Sequence, residues 1–345
     1  MKKLITIITV LFIVGLGIGG YLYSIVYMSN VSIPGSEKAY VYIRNNAGFE
    51  EVLDSLDVYL DDVSSFERVA KLKKYPELIR TGKFEIKNNW SNNDLVNHLR
   101  SGNQAEVKLV FNNADSVEEL AGKISKQIEA DSTDIVNYIF DPAFLKENKF
   151  TNETVGSLFI PNTYFVYWNT DAETFTLRML KEYRKFWNED RLAKAKKIGL
   201  KPSQVSTLAS IVQKETVKRD ERRTVAGLYM NRLNNNWKLE SDPTVIFALK
   251  KQAGFKIEVR RVLYKDLKVD SPYNTYMNSG LPPGPITIPE IDAIDAVLNY
   301  GENAYFFMCA NPERMGYHSF AKSLRQHNRN ARKYAHWLNQ QNIKR

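Results

Sequence analysis

The sequence predicts an α+β protein with an N-terminal transmembrane helix, a small βααβ module and a larger domain that mixes helices and strands. Three observations support this prediction. An uncharged apolar run opens the chain, a strand–Asn-Asn–helix pattern then occurs three times, and turn-forming and polar residues cluster after residue 200. At 345 residues, the chain is long enough for two or three modules.

The overall composition is that of a folded protein, with 43% apolar and 25% charged residues. The net charge of +9 fits nucleic acid, anionic lipid head groups or an anionic polymer equally well, so charge alone does not select a partner. Cys309 is the one cysteine, which excludes an intramolecular disulfide.

Residues 4–28 predict a transmembrane helix. No residue in this segment is charged, and at about 1.5 Å per residue a helix of this length can cross the ~30 Å hydrocarbon core. Lys2 and Lys3 precede it and no further Lys or Arg occurs before Lys38, so the positive-inside rule places residues 1–3 in the cytoplasm and the remaining chain outside. A cleaved signal peptide is the alternative, but its apolar part spans only about 7–15 residues.

Residues 29–37 predict a polar linker, and the three copies of the repeated pattern follow it. Each copy has an alternating strand, an Asn-Asn turn and a helix with apolar residues at helical spacing. The strands and turns of the copies occupy residues 40–46, 84–89 and 107–113. Capping boxes are predicted for Ser91 with Asp94 and for Ser116 with Glu119, at the starts of the second and third helices.

Another helix, Val63–Lys74, is predicted between the first two copies. Residues 39–87 therefore have the order strand, helix, helix, strand. This order resembles that of small LysM carbohydrate-binding modules, and a LysM-like module over residues 38–110 is the prediction. The alternative is a spacer domain that only holds the rest of the chain away from the membrane.

Residues 111–345 are the predicted second domain, with its core at 200–335. The part from 116 to 200 is predicted to be mostly helical, interrupted by an aromatic segment at Leu158–Trp168. The two helices after that segment are predicted at Ala172–Asn188 and Glu189–Ile198. The turn-rich part that follows is where chemistry is expected.

The helix predicted at Ser203–Lys218 carries a carboxyl group on its apolar side. The spacing i, i+3, i+4 and i+7 is occupied by Leu208, Ile211, Val212 and Glu215. Burial raises the pKa of a carboxyl group, as a general acid near neutral pH requires. The alternative is a glutamate paired with a buried arginine, for which the candidates are Arg222, Arg223 and Arg232.

Polar groups later in the sequence are candidates for holding a sugar. A second helix is predicted at Asp220–Leu233, with Asp220 as N-cap and Asn231 near its end. The segment Ser241–Thr244 predicts the start of a further helix. Asp242 either caps that helix or binds substrate. The loop 271–286 combines tyrosines, amides and hydroxyls in a Pro/Gly frame, which suits sugars but also an ordinary surface loop. The candidates for substrate binding are Asn231, Asp242, Thr244, Tyr273, Asn274, Thr275 and Tyr276.

The sequence predicts no metal and no cofactor. The four histidines and the cysteine lack HExxH or CxxC spacing, and no Walker or GxSxG motif occurs. The basic residues near the C-terminus predict a solvated helix face rather than a nucleic-acid groove; they are Arg325, Arg329, Arg332 and Lys333.

Five ordered segments together resemble a known family. They are LASIVQKET at 208–216, VAGLYMNRL at 225–233, LESDPTV at 239–245, the loop 271–286 and the segment 305–329. These segments closely resemble the MltG/YceG-like endolytic murein transglycosylases, specifically over 205–330 and more loosely over 38–200. Two positions depart from the family pattern: Gln213 replaces the first Glu of an EKE triplet, and Asn162 stands where family members usually have Asp.

The resemblance implies a lytic transglycosylase that cleaves the MurNAc–GlcNAc β-1,4 bond of peptidoglycan, with Glu215 as the catalytic acid and 1,6-anhydroMurNAc ends as products. It implies a single-pass protein of the bacterial inner membrane whose catalytic domain faces the periplasm. Peptidoglycan glycan strands would be the substrate, peptidoglycan synthases (penicillin-binding proteins) the partners, and termination of nascent strands the result. Two alternatives stay open: a hydrolytic muramidase with Asp242 as second carboxylate, and a non-catalytic peptidoglycan-binding scaffold.

Overall fold

The computed structural model describes residues 1–112 and 114–341 and has two compact units. The first unit consists of residues 1–109, 126–130 and 164–171, and the second of residues 110–125, 131–163 and 172 onward. The chain first passes from one unit to the other between residues 109 and 110, beside the predicted boundary. Helices and short two-stranded sheets occur together, which confirms the mixed α+β class.

The N-terminal helix α1, Lys2–Tyr27, is an apolar helix of 26 residues, with none of them buried. Its length and composition are sufficient to cross a membrane, and among the described residues it is the one helix of which this is true. Thr6 and Thr9 donate to the carbonyls of Lys2 and Ile5, so their hydroxyls are satisfied within the helix. The helix is therefore compatible with a membrane anchor.

The first unit has the predicted order of strands and helices. Its elements are β1 Lys38–Ile43, α2 Phe49–Asp57, α3 Val63–Leu72, a 3-10 turn at Tyr75–Glu77, β2 Gly82–Lys87 and α4 Asn92–Ser101. Strands β1 and β2 are antiparallel, with Val41 opposite Phe84. Helix α3 ends two residues before the predicted Lys74, because Lys74 adopts a left-handed backbone conformation with φ of 54°.

Residues 29–37, which the sequence predicts to be a linker, are packed against the first unit. Val31 and Ile33 are buried in its core. The backbone N–H of Val31 donates to the carbonyl of Trp90 at 3.0 Å, and the Asn30 amide donates to the Asn92 side chain at 2.7 Å. The segment after α1 is thus held by buried polar contacts as well as by apolar packing.

The structure explains the Asn-Asn turns and the helix caps of the repeated pattern. Asn46 and Asn89, the second residues of the first two Asn-Asn pairs, adopt φ of 63° and 62°, a region that asparagine tolerates better than most residues. The corresponding Asn113 lies outside the described residues. Ser91 and Asp94 form the predicted capping box. At the third helix, Ser116 caps the N–H of Glu119 as predicted, but the Glu119 carboxylate accepts from the N–H of Asp115 instead of Ser116.

The second unit is mostly helical. Its helices are α5 Val117–Ile124, α6 Ser132–Ile139, α7 Pro142–Glu147, α8 Ala172–Phe186, α9 Glu189–Lys197, α10 Pro202–Glu215, α11 Arg222–Asn234, α12 Asp242–Gln252, α13 Ile291–Leu298 and α14 Leu324–Gln340. Strands β5 Phe307–Ala310 and β6 His318–Ala321 form an antiparallel pair. Strands β3 Glu106–Phe111 and β4 Asn162–Tyr167 also pair, and the chain changes unit within each of them. Strand β4 lies within Leu158–Trp168, the segment that the sequence predicted only as an aromatic interruption between helices.

Helix α10 is the central helix of the second unit. Every residue from Val205 to Gln213 is buried, so the helix is enclosed on all sides rather than on one stripe. Two of its buried hydroxyls are hydrogen-bonded within the unit. Thr207 donates to the carbonyl of Ser203 at 2.8 Å. Ser210 donates to the carbonyl of Thr207 at 2.7 Å and accepts from the N–H of Ile286 at 2.9 Å.

Two predicted helix bounds need correction. Helix α10 ends at Glu215 and not at Lys218, because Thr216 turns to an extended conformation. Asp220 is not the N-cap of α11; a 3-10 turn at Arg219–Glu221 precedes that helix, and the N-cap position belongs to Glu221. The Asp220 carboxylate instead accepts a hydrogen bond from the Tyr317 hydroxyl at 3.0 Å.

Candidate active site

Glu215 is the last residue of α10, and its side chain is half-buried. One carboxylate oxygen, Oε2, accepts two hydrogen bonds, from the Tyr229 hydroxyl and from the Ser241 hydroxyl, both at 3.1 Å. Tyr229 lies on α11, and Ser241 lies directly before α12. Three consecutive helices of the second unit therefore fix the orientation of this carboxyl group.

The surroundings of Glu215 favour its protonated form. Burial raises the pKa of Glu215 above its ordinary value, and the negative charge of Asp242 adds to the rise. The charge of His318 and the two hydroxyl donors act in the opposite direction without cancelling it. A carboxyl group with a raised pKa can donate a proton near neutral pH.

The alternative pairing of Glu215 with an arginine does not occur in the part of the chain that the structure describes. Arg222 is bound to Glu290 and Asp292, and Arg232 donates to the carbonyl of Leu239 at 2.7 Å. Arg223 donates to the carbonyl of Asn299 at 2.6 Å. The three arginines that the sequence offers as partners are therefore engaged elsewhere.

Tyr229 is a fully buried side chain that keeps its proton. Burial, and then the charge of Glu215, raise the pKa of Tyr229 well above its ordinary value. Its hydroxyl therefore remains a hydrogen-bond donor to Glu215 over the physiological pH range. Tyr229 belongs to the family segment at 225–233, but only packing brings it to the carboxyl group.

A histidine and a second glutamate form an ion pair next to the site. The Glu221 carboxylate accepts from the backbone N–H of His318 at 2.8 Å and lies 2.8 Å from its Nδ1. Thr216, the residue after Glu215, also donates to Glu221 at 3.0 Å. Burial alone would lower the pKa of His318, but the hydrogen bond and charge of Glu221 raise it overall. Burial alone would raise the pKa of Glu221, and the bonds from His318 and Thr216 lower it overall.

Asp242 and Tyr276 are the two predicted substrate-binding residues that reach the exposed side of the site. The Tyr276 hydroxyl donates to the Asp242 carboxylate at 2.7 Å, and Asp242 is exposed. Burial and this carboxylate raise the pKa of Tyr276, so its hydroxyl stays protonated. Asp242 is the first residue of α12 and does not cap it; the N-cap position is occupied by Ser241, whose hydroxyl is bound to Glu215.

The other predicted substrate-binding residues in and beside this loop are buried: Thr244, Tyr273, Asn274 and Thr275. Asn274 donates to the carbonyls of Leu267 and Val269, and the Thr275 hydroxyl lies 2.8 Å from that of Thr244. Tyr273 packs on Phe247, and burial raises the pKa of Tyr273 to about 12. These contacts shape the loop that presents Tyr276. Direct substrate contact by Thr244, Tyr273, Asn274 and Thr275 stays a prediction.

Asn231 holds the loop that precedes β5. Its amide donates to the carbonyl of Asn303 at 2.9 Å and to that of Tyr305 at 3.0 Å. Asn162, which departs from the family pattern, is exposed at the start of β4, where its side-chain oxygen accepts from the N–H of Thr163 at 2.8 Å. Neither residue donates to Glu215 in the described structure, and substrate contact by Asn231 stays a prediction.

Sequence reasoning missed four residues of this site: Tyr229, Ser241, Glu221 and His318. Three of them, Tyr229, Ser241 and His318, lie within segments that carry the family resemblance, which was the available signal. In the described residues, no group of three or more His, Cys, Asp or Glu side chains is placed to hold a metal ion.

The sequence profile described as the YceG-like family matches residues 41–333. This chain belongs to the YceG-like family. A YceG-like protein of Listeria monocytogenes, known from a crystal structure, has 27% sequence identity and a TM-score of 0.57, with 85% of this chain and 98% of that chain covered. The YceG-like fold is therefore shared over most of the described chain.

Two proteins named endolytic murein transglycosylase are also similar to this YceG-like chain. The Bacillus subtilis protein is 33% identical over 54% of this chain and 50% of its own length. The Streptococcus pneumoniae protein (serotype 2, strain D39) is 27% identical over 95% of this chain and 64% of its own length. The chain thus spans between half and two thirds of the length of these relatives.

Proposed function

We propose that this chain is a membrane-anchored lytic transglycosylase that cleaves peptidoglycan glycan strands, with Glu215 as its catalytic acid. The observation that carries the proposal is a half-buried carboxyl group with a raised pKa and no cationic side chain bound to it among the described residues. The names of the Bacillus and pneumococcal relatives support the substrate class. The exposed Asp242 and its half-buried partner Tyr276 offer polar groups for a saccharide beside the acid.

The hydrogen bonds to Glu215 indicate which oxygen carries the proton. Both hydroxyl donors bind Oε2, so the protonated acid holds its hydrogen on the other oxygen, Oε1. Among the described residues, none makes a hydrogen bond to Oε1. Oε1 donates this proton to the glycosidic oxygen as the bond from that oxygen to C1 of MurNAc breaks. The two donors then stabilise the carboxylate that forms.

The second half of the reaction returns the proton to Glu215. The C6 hydroxyl of MurNAc closes onto C1, forming the C1–O6 bond of a 1,6-anhydro sugar, and its proton passes to the Glu215 carboxylate. One carboxyl group suffices because it acts as acid and then as base, and no water is consumed. Hydrolysis would need a second carboxylate or an activated water, for which Asp242 is the candidate.

Purified peptidoglycan digested with the full chain, and analysed by mass, tests this proposal. We expect 1,6-anhydroMurNAc ends from the wild type and at least a ~100-fold slower release from Glu215→Gln. Glu189→Gln is the matched control, because Glu189 is exposed in the first turn of α9 and should behave as wild type. Reducing ends would indicate a muramidase, and an unaffected Glu215→Gln variant or no release at all would refute the catalytic proposal.

Helix α1 is proposed to anchor the chain in the inner membrane, with residues 1–3 in the cytoplasm and both units in the periplasm. Support comes from the uncharged run over residues 4–28 and from Lys2 and Lys3 at the start of the helix. Cysteine labelling of full-length protein in intact cells, in a Cys309→Ser background, tests the orientation: a membrane-impermeant reagent should label Glu189→Cys but not Lys3→Cys. The reverse pattern would contradict it.

The first unit is proposed to be a LysM-like module that binds glycan. Support comes from the strand, helix, helix, strand order and the antiparallel β1–β2 pair. Sedimentation of the inactive Glu215→Gln full chain with purified peptidoglycan measures total binding. Competition by short glycan oligomers would support a carbohydrate site, whereas their failure to compete would favour a spacer.

Cleavage beside the membrane would act on strands still being made by peptidoglycan synthases, and would thereby terminate their elongation. The measurement is glycan strand length in cells that lack the active protein. We expect longer strands with Glu215→Gln than with Glu189→Gln. Equal lengths would contradict a role in termination.

A further inference from the structure

The end of α1 and helix α3 lie side by side in the first unit and run in opposite directions. The Asn92 amide donates both to the carbonyl of Ile25, at 2.8 Å, and to the hydroxyl of Ser65, at 3.0 Å. Further along α3, the Arg68 guanidinium donates to the Tyr21 hydroxyl at 2.5 Å. From Ser65 to Arg68, helix α3 therefore runs in the direction of the N-terminus of α1. This is the direction toward the membrane if α1 is an anchor.

The depth of these contacts follows from helix geometry. Lys3 is the last charged residue before the apolar run, and about 20 residues of helix span the ~30 Å hydrocarbon core. The outer edge of the core then lies near Tyr23, and Tyr21 and its partner Arg68 lie at the interface. Leu72 follows Arg68 by one turn, about 6 Å further in the same direction.

The chemistry of this helix end fits a lipid interface. Arg68, Lys71 and Leu72 have the spacing i, i+3, i+4 and share one exposed face, and Lys74 is exposed just after the helix. Leu72 is 69% exposed, although the same helix buries Phe66 in the core. An apolar side chain surrounded by long cationic ones matches the boundary between acyl chains and anionic head groups.

We propose that Arg68, Lys71, Leu72 and Lys74, the basic tip of α3, form a second membrane contact that inserts Leu72 among the acyl chains and binds anionic phospholipid head groups. This contact rests on the proposed anchoring by α1. It would hold the first unit against the outer leaflet at two points, so that the unit cannot swing freely about the end of α1. Lys71 is also paired with Glu67 at 2.5 Å, and its ammonium group would be shared between that carboxylate and lipid phosphate.

Fluorescence quenching in vesicles tests the proposal on the full chain. Single cysteines at positions 72, 58 and 23, in a Cys309→Ser background, would carry a polarity-sensitive label, with lipids that bear a shallow nitroxide as quencher. Val58 is the matched control, because it is apolar and 73% exposed at the end of α2 and belongs to the same unit. Its neighbour Tyr59 is bonded to Ser32, beyond the end of α1.

In vesicles of phosphatidylethanolamine with about one third phosphatidylglycerol, we expect the labels at 23 and 72 to be quenched and the label at 58 to stay bright. Quenching at 23 without quenching at 72 would overturn this proposal and leave the anchor intact. No quenching at 23 would overturn the anchor and the second contact together.

Charge removal tests the lipid specificity. Arg68→Gln, Lys71→Gln and Lys74→Gln together should reduce quenching at 72 to the level seen in pure phosphatidylcholine. Arg44→Gln, Lys83→Gln and Lys87→Gln remove the same charge from strand β2 and from the residue that follows β1, and should leave quenching unchanged. An equal loss in both triple variants would overturn the binding of head groups by the tip of α3.

Discussion

The Ser241 hydroxyl donates to Oε2 of Glu215 at 3.1 Å from the N-cap position of α12, where it caps nothing. A serine at this position ordinarily accepts a hydrogen bond from a backbone N–H of the first helical turn. Here the side chain is turned to the acid, and α12 begins with proline in its first turn. The residue that the sequence marks as a helix start thus orients the carboxyl group of Glu215, the proposed catalytic acid.

Ser241→Ala should change the acid more than it changes the stability of α12. Since the hydrogen bond from Ser241 lowers the pKa of Glu215, its loss should raise that pKa and move the alkaline limb of the pH–rate profile upward. Ser91 is the matched control, because its hydroxyl does cap α4, and Ser91→Ala should cost about 1 kcal/mol of stability. An unshifted profile for Ser241→Ala would contradict this role.

Asp242→Asn and His318→Gln should shift the pH–rate profile in opposite directions. The charge of Asp242 raises the pKa of Glu215 and that of His318 lowers it. In the proposed mechanism, activity requires protonated Glu215 and falls as pH rises through the pKa of that residue. The alkaline limb should therefore move down for Asp242→Asn and up for His318→Gln, measured as muropeptide release from pH 4 to 9. Shifts of the same sign would refute this electrostatic account.

Glu215→Gln should stabilise the second unit at pH 7. Because folding raises the pKa of Glu215, ionising it costs stability: the penalty is absent below the unfolded pKa of about 4.3 and grows as pH rises toward the folded pKa. Melting temperatures of the variant and wild type should therefore be similar at pH 4, with the variant higher at pH 7. A variant less stable at pH 7 would show that the carboxylate is well solvated.

Glu221→Gln should destabilise the protein most between about pH 5 and 6.5. The folded pKa of His318 is raised, so its contribution is full below the unfolded value and is lost as pH rises through the folded one. The folded pKa of Glu221 is lowered, so its contribution is lost as pH falls through that value. We expect a loss of roughly 1–3 kcal/mol in that window, less at pH 9, and a lower His318 pKa by NMR titration. An unchanged His318 pKa would contradict the pairing.

Gly227→Ala should destabilise α11. A Cβ at Gly227 would overlap the Gly301 carbonyl oxygen and the Asn303 side chain, and relieving such overlap costs about 1–3 kcal/mol. Gly122→Ala in α5 is the control, since its Cβ would meet nothing within 4 Å, and alanine should gain about 0.5–1 kcal/mol there. Thermal melting of both variants checks this, and equal melting temperatures would contradict the tight packing.

Much of the local structure could be predicted from the sequence because its causes lie within a few residues. Uncharged length predicts α1, alternation and Asn-Asn turns predict β1 and β2, and Ser91 with Asp94 predicts the start of α4. The predicted ends of helices were wrong where a side chain binds a residue distant in sequence instead of its own helix. Asp220 does not cap α11 because its carboxylate is bound to Tyr317, a residue far away in sequence.

The sequence by itself indicated that Glu215 lies on a largely apolar helix, because helical spacing and the family segments are local features of the sequence. Only the tertiary structure decided what surrounds that carboxyl group. Tyr229 and Ser241 reach it from 14 and 26 residues away, and Glu221 holds His318 from 97 residues away. Helical periodicity says which residues face inward but not which of them meet, because packing between helices depends on the whole set of shapes that fill the core.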